Sequence, residues 1–274
     1  MSVADRQKPA PGELFLDHVA HFVPDLGAAA QLLEALGFAV TPESAHRAQG
    51  APAGTSNRCV MLEQGYLEIL APTLDTPNAQ RVRAHMARYH GVHLACFGTP
   101  DAHAEHRRLT DHGFAPEPVV SLERVLDSGE LARFNVVYVP PGKMPEGRIQ
   151  YVQQLTPQHL WQERYLNEFS LKSVFVVARE PTAAAARWAR FTGLIPQRTD
   201  EGIRLETARG SVLVAKRFPW RTPASPALAG YQLACRHPQE FAARCSAAGI
   251  RVKQAGSRYA AALPAVLGGA WLFG

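Results

Sequence analysis

Short apolar runs and Ala-rich segments alternate along the chain in a pattern that recurs four times. Each copy starts with an apolar, strand-like run, passes a Pro or Asp, and continues through a helical segment to a Gly followed by an apolar residue. The four closing glycines are Gly37, Gly113, Gly193 and Gly249. Pro near a helix start and Gly just past a helix end are the places that backbone geometry favours. The pattern therefore predicts four strand–helix pairs.

Further strand-like runs follow each glycine, so each copy is interpreted as a β-α-β-β-β unit. In the first unit these runs cover 38–40, 57–63 and 66–71, and a long loop at 41–56 is expected between the first two. One unit cannot cover both faces of its sheet, so units should pair. The predicted class is α+β, with tandem units pairing into two cupped mixed-sheet domains. The first is expected at 13–160, from units 13–75 and 88–160, and a shorter one at 168–274.

Composition narrows the functional classes. The chain has 274 residues, 46% of them hydrophobic, which is enough for two domains with a large core. The apolar runs are too short for a membrane span, and residues 1–12 show no secretory signal. Four cysteines without a C-x-x-C pair indicate reduced thiols and a cytoplasmic protein. The net charge of +5 comes from dispersed arginines, which indicates either attraction to anionic substrates or simply a solvated surface. The expected partner is a small-molecule substrate, with no nucleic acid and no membrane.

Three strand-like runs each carry one metal-ligand residue type among apolar neighbours. They place His18 in 16–20, Glu68 in 66–70 and His93 in 92–94. His18 and His93 take the same place in the repeat, so two units paired about a pseudo-twofold axis should bring both imidazoles into one cup. Two imidazoles and a carboxylate can bind one divalent ion such as Zn²⁺, Ni²⁺, Mn²⁺ or Fe²⁺.

The repeat also predicts a fourth donor. Tyr-x-Glu-x-Leu-x-Pro at 66–72 recurs as Tyr-x-Gln-x-Leu-x-Pro at 151–157, which assigns Gln153 to the position of Glu68. A frame shift of three residues, which would assign Gln150 instead, stays open. Asn57 and Arg58 follow the loop expected to cap the cup, and a substrate-binding role is predicted for them, with ordinary turn chemistry as the alternative.

The chain resembles the vicinal oxygen chelate superfamily over nearly its full length, and its first unit is similar to a glyoxalase-like subfamily. The resemblance is carried by Leu16-Asp17-His18-Val19, Pro24-Asp25-Leu26, Gly37-Phe38, Gly54-Thr55-Ser56-Asn57 and Tyr66-Leu67-Glu68. It implies one divalent metal in a cupped sheet, with two open coordination sites for vicinal oxygens of a substrate. His18, Glu68 and His93 match the first three ligand positions of the family, and Gln153 stands where the fourth is commonly Glu.

The resemblance implies a metal-dependent lyase or isomerase in which Glu68 acts as the base. Glutamine cannot act as a base, so a mechanism with two opposed carboxylates is disfavoured. The alternatives are a metal-free binding or sequestering protein of the same fold and an Fe(II) dioxygenase. In the second half, Ser173, Leu213 and Gln232 align with the ligand positions. That half is expected to bind no metal and to serve as a structural or homodimer-forming copy.

Overall fold

The computed structural model describes residues 2–274, which form two cupped mixed sheets flanked by helices. The helices are α1 (Val3–Arg6), α2 (Leu26–Ala35), α3 (Pro77–Met86), α4 (Ala102–Asp111), α5 (Pro157–Leu160), α6 (Pro181–Thr192) and α7 (Pro238–Ala247). The strands are β1 (Phe15–Phe22), β2 (Ser44–Ala48), β3 (Ala51–Gln64), β4 (Tyr66–Pro72), β5 (Gly91–Gly98), β6 (Val120–Val125), β7 (Leu131–Tyr138), β8 (Arg148–Gln154), β9 (Leu166–Val177), β10 (Pro196–Thr199), β11 (Gly202–Glu206), β12 (Ser211–Ala215), β13 (Ala227–Cys235), β14 (Arg251–Ala255), β15 (Arg258–Ala262) and β16 (Ala270–Phe273).

The first eight strands close into a ring in the order β4-β1-β5-β8-β7-β6-β2-β3, because β3 also pairs with β4. β1 and β5 run antiparallel at the centre, and each has a parallel neighbour on its outer side, β4 and β8. The ring is completed by a short antiparallel seam of three residue pairs between β2 and β6. This arrangement confirms the predicted fold of paired units around a cup.

The second half forms an open sheet in the order β10-β11-β12-β9-β13-β16-β15-β14. The long strand β9 joins the two sheets, because its first residues pair in parallel with the end of β3. Helices α2, α4, α6 and α7 each bury an apolar face. One apolar cluster contains residues of both halves, such as Val19 and Val174, and separate clusters lie inside each cup. The two halves therefore share one core.

Two local predictions were wrong. The loop expected at 41–56 is largely a hairpin, in which Gln49 and Gly50 connect β2 to β3 with φ values of 50° and 79°. Positive φ at both central residues is the geometry of a two-residue hairpin turn. The strand expected at 38–40 is irregular. None of the helices within 2–274 is long and apolar enough to cross a membrane.

Candidate functional site

The inner face of the first ring encloses a small polar cavity of about 60 Å³, which we call the cup. Nearly every strand of the ring contributes to its wall. The polar side chains that line it are His18 on β1, His46 on β2, Thr55 and Asn57 on β3, Tyr66 and Glu68 on β4, Arg124 on β6, Tyr138 on β7, Arg148 and Gln150 on β8, and Asn78 on α3.

Two β-bulges decide which side chains of the central strands face the cup. β1 has one extra residue at Asp17, and β5 has one at His93. The register pairs His18 with Cys96 and Ala20 with Leu94. A twofold rotation that exchanges β1 and β5 therefore carries His18 onto Leu94 and Ala20 onto Cys96. Leu94, and not His93, therefore mirrors His18 across the pseudo-twofold axis.

The placement of His93 in the cup was consequently wrong. Its ring packs against Phe22 and Tyr89, with ring centroids 5.4 and 4.1 Å away, and its Nε2 donates to the Tyr89 carbonyl oxygen at 2.9 Å. Burial lowers the pKa of His93 to about 3. His93 is thus a neutral packing residue that takes up the extra position of the bulge.

The same symmetry changes which residue is assigned as the fourth donor. Glu68 pairs with Ala20 on β1, and Gln150 pairs with Cys96 on β5, so Gln150 is the counterpart of Glu68. The expectation for Gln153 was wrong, and the shift of three residues is what the structure has. The Gln153 side chain donates to the Pro100 carbonyl oxygen at 2.9 Å and steadies the start of α4.

Arg58 does not line the cup either. Its Nε donates to the Thr41 carbonyl oxygen at 2.7 Å, and its Nη2 forms an ion pair with Glu34 at 2.8 Å. Arg58 follows Asn57 on β3, and successive strand residues point to opposite faces. Of the two predicted substrate-binding residues, the structure brings only Asn57 to the cup.

The bulge at Asp17 places a carboxylate behind His18. Asp17 Oδ1 lies 2.6 Å from His18 Nδ1, and both side chains are buried. Burial disfavours a charged imidazole, but Cys96 and the Asp17 carboxylate outweigh it and hold the pKa of His18 well above its ordinary value. With Nδ1 engaged, Nε2 is the nitrogen available to the cup, and it lies 3.9 Å from Glu68 Oε2.

Glu68 is buried and oriented by neutral neighbours. Asn57 Nδ2 donates to its Oε1 at 2.6 Å, and His46 Nε2 lies 3.9 Å from the same oxygen. Burial lowers the pKa of His46 to about 4, so this imidazole is neutral near pH 7, and its Nδ1 lies 3.0 Å from Thr55 Oγ1. The carboxylate is therefore held in place with its Oε2 facing His18.

Two arginines bring positive charge to the cup. Arg124, only 2% exposed, donates to Asn57 Oδ1 at 3.2 Å and contacts Cys59 Sγ at 3.6 Å. Arg148 donates through Nε to Gln150 Oε1 at 3.0 Å, and its guanidinium lies 4.4 Å from the centroid of the Tyr138 ring. All of these partners are neutral, so both positive charges remain available to an anionic ligand.

The donor set of the cup does not fit a tightly bound divalent ion. His18 and Glu68 occupy two of the four ligand positions of the superfamily, but Leu94 fills the third, and Gln150 already accepts a hydrogen bond from Arg148. His46 adds a second imidazole, yet within residues 2–274 no group of three His, Cys, Asp or Glu side chains is arranged to bind a metal. Two nearby guanidinium groups also repel a cation.

Sequence reasoning missed His46, Arg124 and Arg148. A hairpin at Gln49-Gly50 would have revealed His46, because Ser44 and His46 alternate with exposed residues as on a half-buried strand. The sequence also contains evidence that Leu94 is the counterpart of His18. Leu94 precedes Gly113 by 19 residues, and His18 precedes Gly37 by the same number. Nothing in the sequence marks Arg124 among the dispersed arginines.

The corresponding positions of the second half lack ligand side chains. Pairing along β9 makes Ser173 the counterpart of His18 and Leu213 the counterpart of Glu68, as aligned from the sequence. Gln232 pairs with Ser173 and so corresponds to Cys96, not to a ligand position. Phe218 and Trp220 cover the inner face of this sheet at Phe175, with ring centroids 5.1 and 5.3 Å away.

Solved structures share this fold at low sequence identity. A hypothetical protein from Staphylococcus aureus is 13% identical, with 95% of this chain and 98% of that chain covered and a TM-score of 0.65. A mutant of 4-hydroxymandelate synthase from Streptomyces coelicolor is 12% identical, with 96% and 93% covered and a TM-score of 0.55. The Mn(II)-bound glyoxalase from Novosphingobium aromaticivorans is 10% identical, with 94% and 81% covered and a TM-score of 0.51.

No functionally curated protein matches the sequence. The model of the glyoxalase-like domain matches residues 16–192, which include the first ring except Phe15 and the start of the second sheet. This match covers more than half of the chain and contains every side chain of the cup. Together with the paired β-α-β-β-β units, it shows that the chain belongs to the glyoxalase-like domain family of the vicinal oxygen chelate superfamily.

Proposed function

We propose that this protein is a glyoxalase-like enzyme that moves a proton next to the carbonyl group of a small anionic substrate, without a tightly bound metal. The observation that carries the proposal is the oriented Glu68 carboxylate, 3.9 Å from His18 Nε2, in a cup with two arginines whose partners are neutral. Metal-bound glyoxalases of this superfamily use a cation to stabilise developing negative charge. Here positive side chains supply that stabilisation.

Each group has a defined role in such a proton transfer. Glu68 removes the proton from the carbon next to the carbonyl. The electron pair of the C–H bond forms a C=C bond, and the π pair of the C=O bond moves onto the oxygen. His18, protonated because of its raised pKa, donates a hydrogen bond from Nε2 to that oxygen. Arg124 and Arg148 attract the anionic substrate. Returning the proton to the same carbon restores the carbonyl and completes an exchange of hydrogen. In an α-hydroxycarbonyl substrate, the hydroxyl proton can pass to the enolate oxygen, and returning the carbon-bound proton to the neighbouring carbon then completes an isomerisation.

The test is exchange of carbon-bound hydrogen with solvent deuterium, followed by NMR, for pyruvate and longer keto acids. The wild-type protein should accelerate exchange, and Glu68→Gln should slow it roughly 100-fold or more, because general-base catalysis contributes that much. Glu43→Gln, on an exposed residue outside the cup, is the matched control and should leave the rate unchanged. Wild-type protein without activity toward the panel would contradict the proposal.

Two further outcomes separate the alternatives. Binding of the keto acids without exchange would identify a sequestering protein, a function that the same arginine-containing cup supports. Exchange that disappears with a chelator and returns with Mn²⁺ or Zn²⁺ would show that a metal does the work assigned here to His18 and the arginines.

A further inference from the structure

The cup is too small for a whole substrate. Its volume of about 60 Å³ is well below the ~300–1,000 Å³ usual for small-molecule sites. Only the reacting group of a molecule fits there, so the rest of the substrate must extend outside. The rest of the substrate would extend into a cavity that adjoins the cup.

A second cavity, of about 340 Å³, adjoins the cup. It lies between α3 and the segment 139–149, and we call it the side cavity. Tyr138 and Arg148 line both cavities. Most of its remaining wall is apolar, with Ala84 on one side and Val139, Met144 and Ile149 on the other. Its volume is within the range of ~300–1,000 Å³ usual for small-molecule sites.

The side cavity also has polar lining residues. Arg81 forms an ion pair with Glu117 at 2.7 Å, and Arg88 donates to the carbonyl oxygens of Pro145 and Pro226, so both are already engaged.

Arg148, stacked on Tyr138, stands at the boundary with the cup and offers its guanidinium to a carboxylate. On the opposite wall, His85 Nδ1 is buried without a hydrogen-bond partner. This nitrogen has almost no accessible surface and is sealed from the cavity, so Arg148 is the group at the cup boundary that a carboxylate can reach.

We propose that the side cavity binds the apolar tail of an extended carboxylate, with Arg148 holding the carboxylate between tail and cup. The inference rests on the proposed function in one respect: the tail in the side cavity and the reacting group in the cup are assigned to the same substrate. The substrate class is then an acid with an apolar chain several carbons long, because a shorter acid would leave the side cavity unfilled.

The experiment is calorimetric titration of the full chain with butanoate, hexanoate and octanoate. Affinity should rise three- to fourfold with each added methylene, since burial of a CH₂ contributes about 0.8 kcal/mol. Ala84→Trp should fill the side cavity and abolish this gain, so that the three acids bind with similar affinity. Ala87→Trp, at an exposed residue that directly follows α3 and lies outside the cavity, is the matched control and should preserve the gain.

Arg148→Met should weaken all three acids by about tenfold and keep the dependence on chain length, because it removes a charge-assisted hydrogen bond and not the apolar wall. Equal wild-type affinity for the three acids would overturn the proposal, and so would an equal loss in both Trp variants. Failure of the proposed function would appear separately, as absent deuterium exchange whatever the titrations show.

Discussion

Leu94 places an apolar side chain where the pseudo-twofold axis repeats His18. It is buried, faces Ala20 across the central strand pair and lines the cup. The symmetry makes this the place from which a second imidazole would face the cup beside His18, so the apolar side chain leaves the cup without that donor. The arginines beside it make the same cup suitable for an anion.

Restoring that donor should restore metal binding. Leu94→His, combined with Gln150→Glu, should raise Zn²⁺ and Mn²⁺ affinity roughly tenfold or more over the wild type, because His18, Glu68 and the two new side chains make a four-donor set. Calorimetric titration of metal-stripped protein measures the gain.

The matched control is His93→Gln, which should leave metal affinity unchanged, since His93 packs on the other side of the bulge. A drop in affinity on His93→Gln, or no gain in the double variant, would show that the ligand positions are assigned wrongly.

Whether the sequence predicts a side chain of the cup correctly depends on placing that residue in the right register along its strand. His18 and Glu68 were identified because polar residues stand out in apolar strands. Asn57 was identified because it follows the loop expected to cap the cup, although that loop is largely a hairpin and Asn57 lies within β3. His93 was misplaced because every residue of β5 is buried, so alternation of polar and apolar side chains gives no information about which face each occupies. A bulge adds one residue without changing composition, and it moves the neighbouring side chains to the opposite face.

At the scale of elements, the connection between the halves depends on one amide. Asn167, near the start of β9, accepts from the Ala39 backbone N–H at 2.8 Å. Its Nδ2 lies 3.0 Å from the carbonyl oxygens of Ala39, Met61 and Tyr165. The side chain thus ties β9 to β3 and to the irregular segment after α2.

Asn167→Ala should lower the free energy of unfolding by about 2–4 kcal/mol, because it leaves several buried backbone groups without partners. Urea denaturation followed by circular dichroism measures this change. Asn135→Ala, on a half-buried strand residue, is the control and should cost about 1 kcal/mol or less. Equal effects of the two variants would mean that Asn167 does not have the connecting role described.

The four-unit plan was predictable because it rests on features that repeat, such as Pro or Asp before each helix and Gly after it. The hairpin at 44–64 was not, because its first strand, Ser44 to Ala48, is short and polar and has the composition of a loop. It becomes a strand through pairing with β6, a contact between distant residues that local sequence does not encode.

For the whole molecule, a buried histidine joins the two halves. His21 on β1 donates from Nδ1 to the Leu267 carbonyl oxygen at 3.0 Å, and its Nε2 accepts from Tyr231 Oη at 3.0 Å. Burial lowers the pKa of His21 to about 4. The neutral form is therefore required in the folded protein, and its two hydrogen bonds cross the shared core.

Acid should destabilise the protein through this residue. The unfolded chain takes up a proton near pH 6.5 and folded His21 only near pH 4, so stability is complete above pH 6.5 and falls as the pH drops between these values. His21→Gln should reduce the difference in unfolding free energy between pH 7 and pH 4.5 by about 3 kcal/mol. Buried His46 and His93 account for further acid sensitivity in both proteins.

Denaturant titrations at the two pH values measure the difference. His90→Gln, on an exposed residue, is the control and should leave the pH dependence of the wild type intact. An unchanged pH dependence in His21→Gln would show that protonation of this imidazole is not coupled to unfolding.

The wall of the cup has a part that neighbouring strands hold firmly and a part, on the hairpin of β2 and β3, that is held less firmly. His18 and Glu68 lie on central strands fixed by neighbours on both sides, whereas His46 lies on β2, which meets β6 and Arg124 through only three residue pairs. Insertions or substitutions in such a hairpin change the shape and charge of the cup without altering the central strands. This wall of the site can therefore vary independently of the positions of His18 and Glu68.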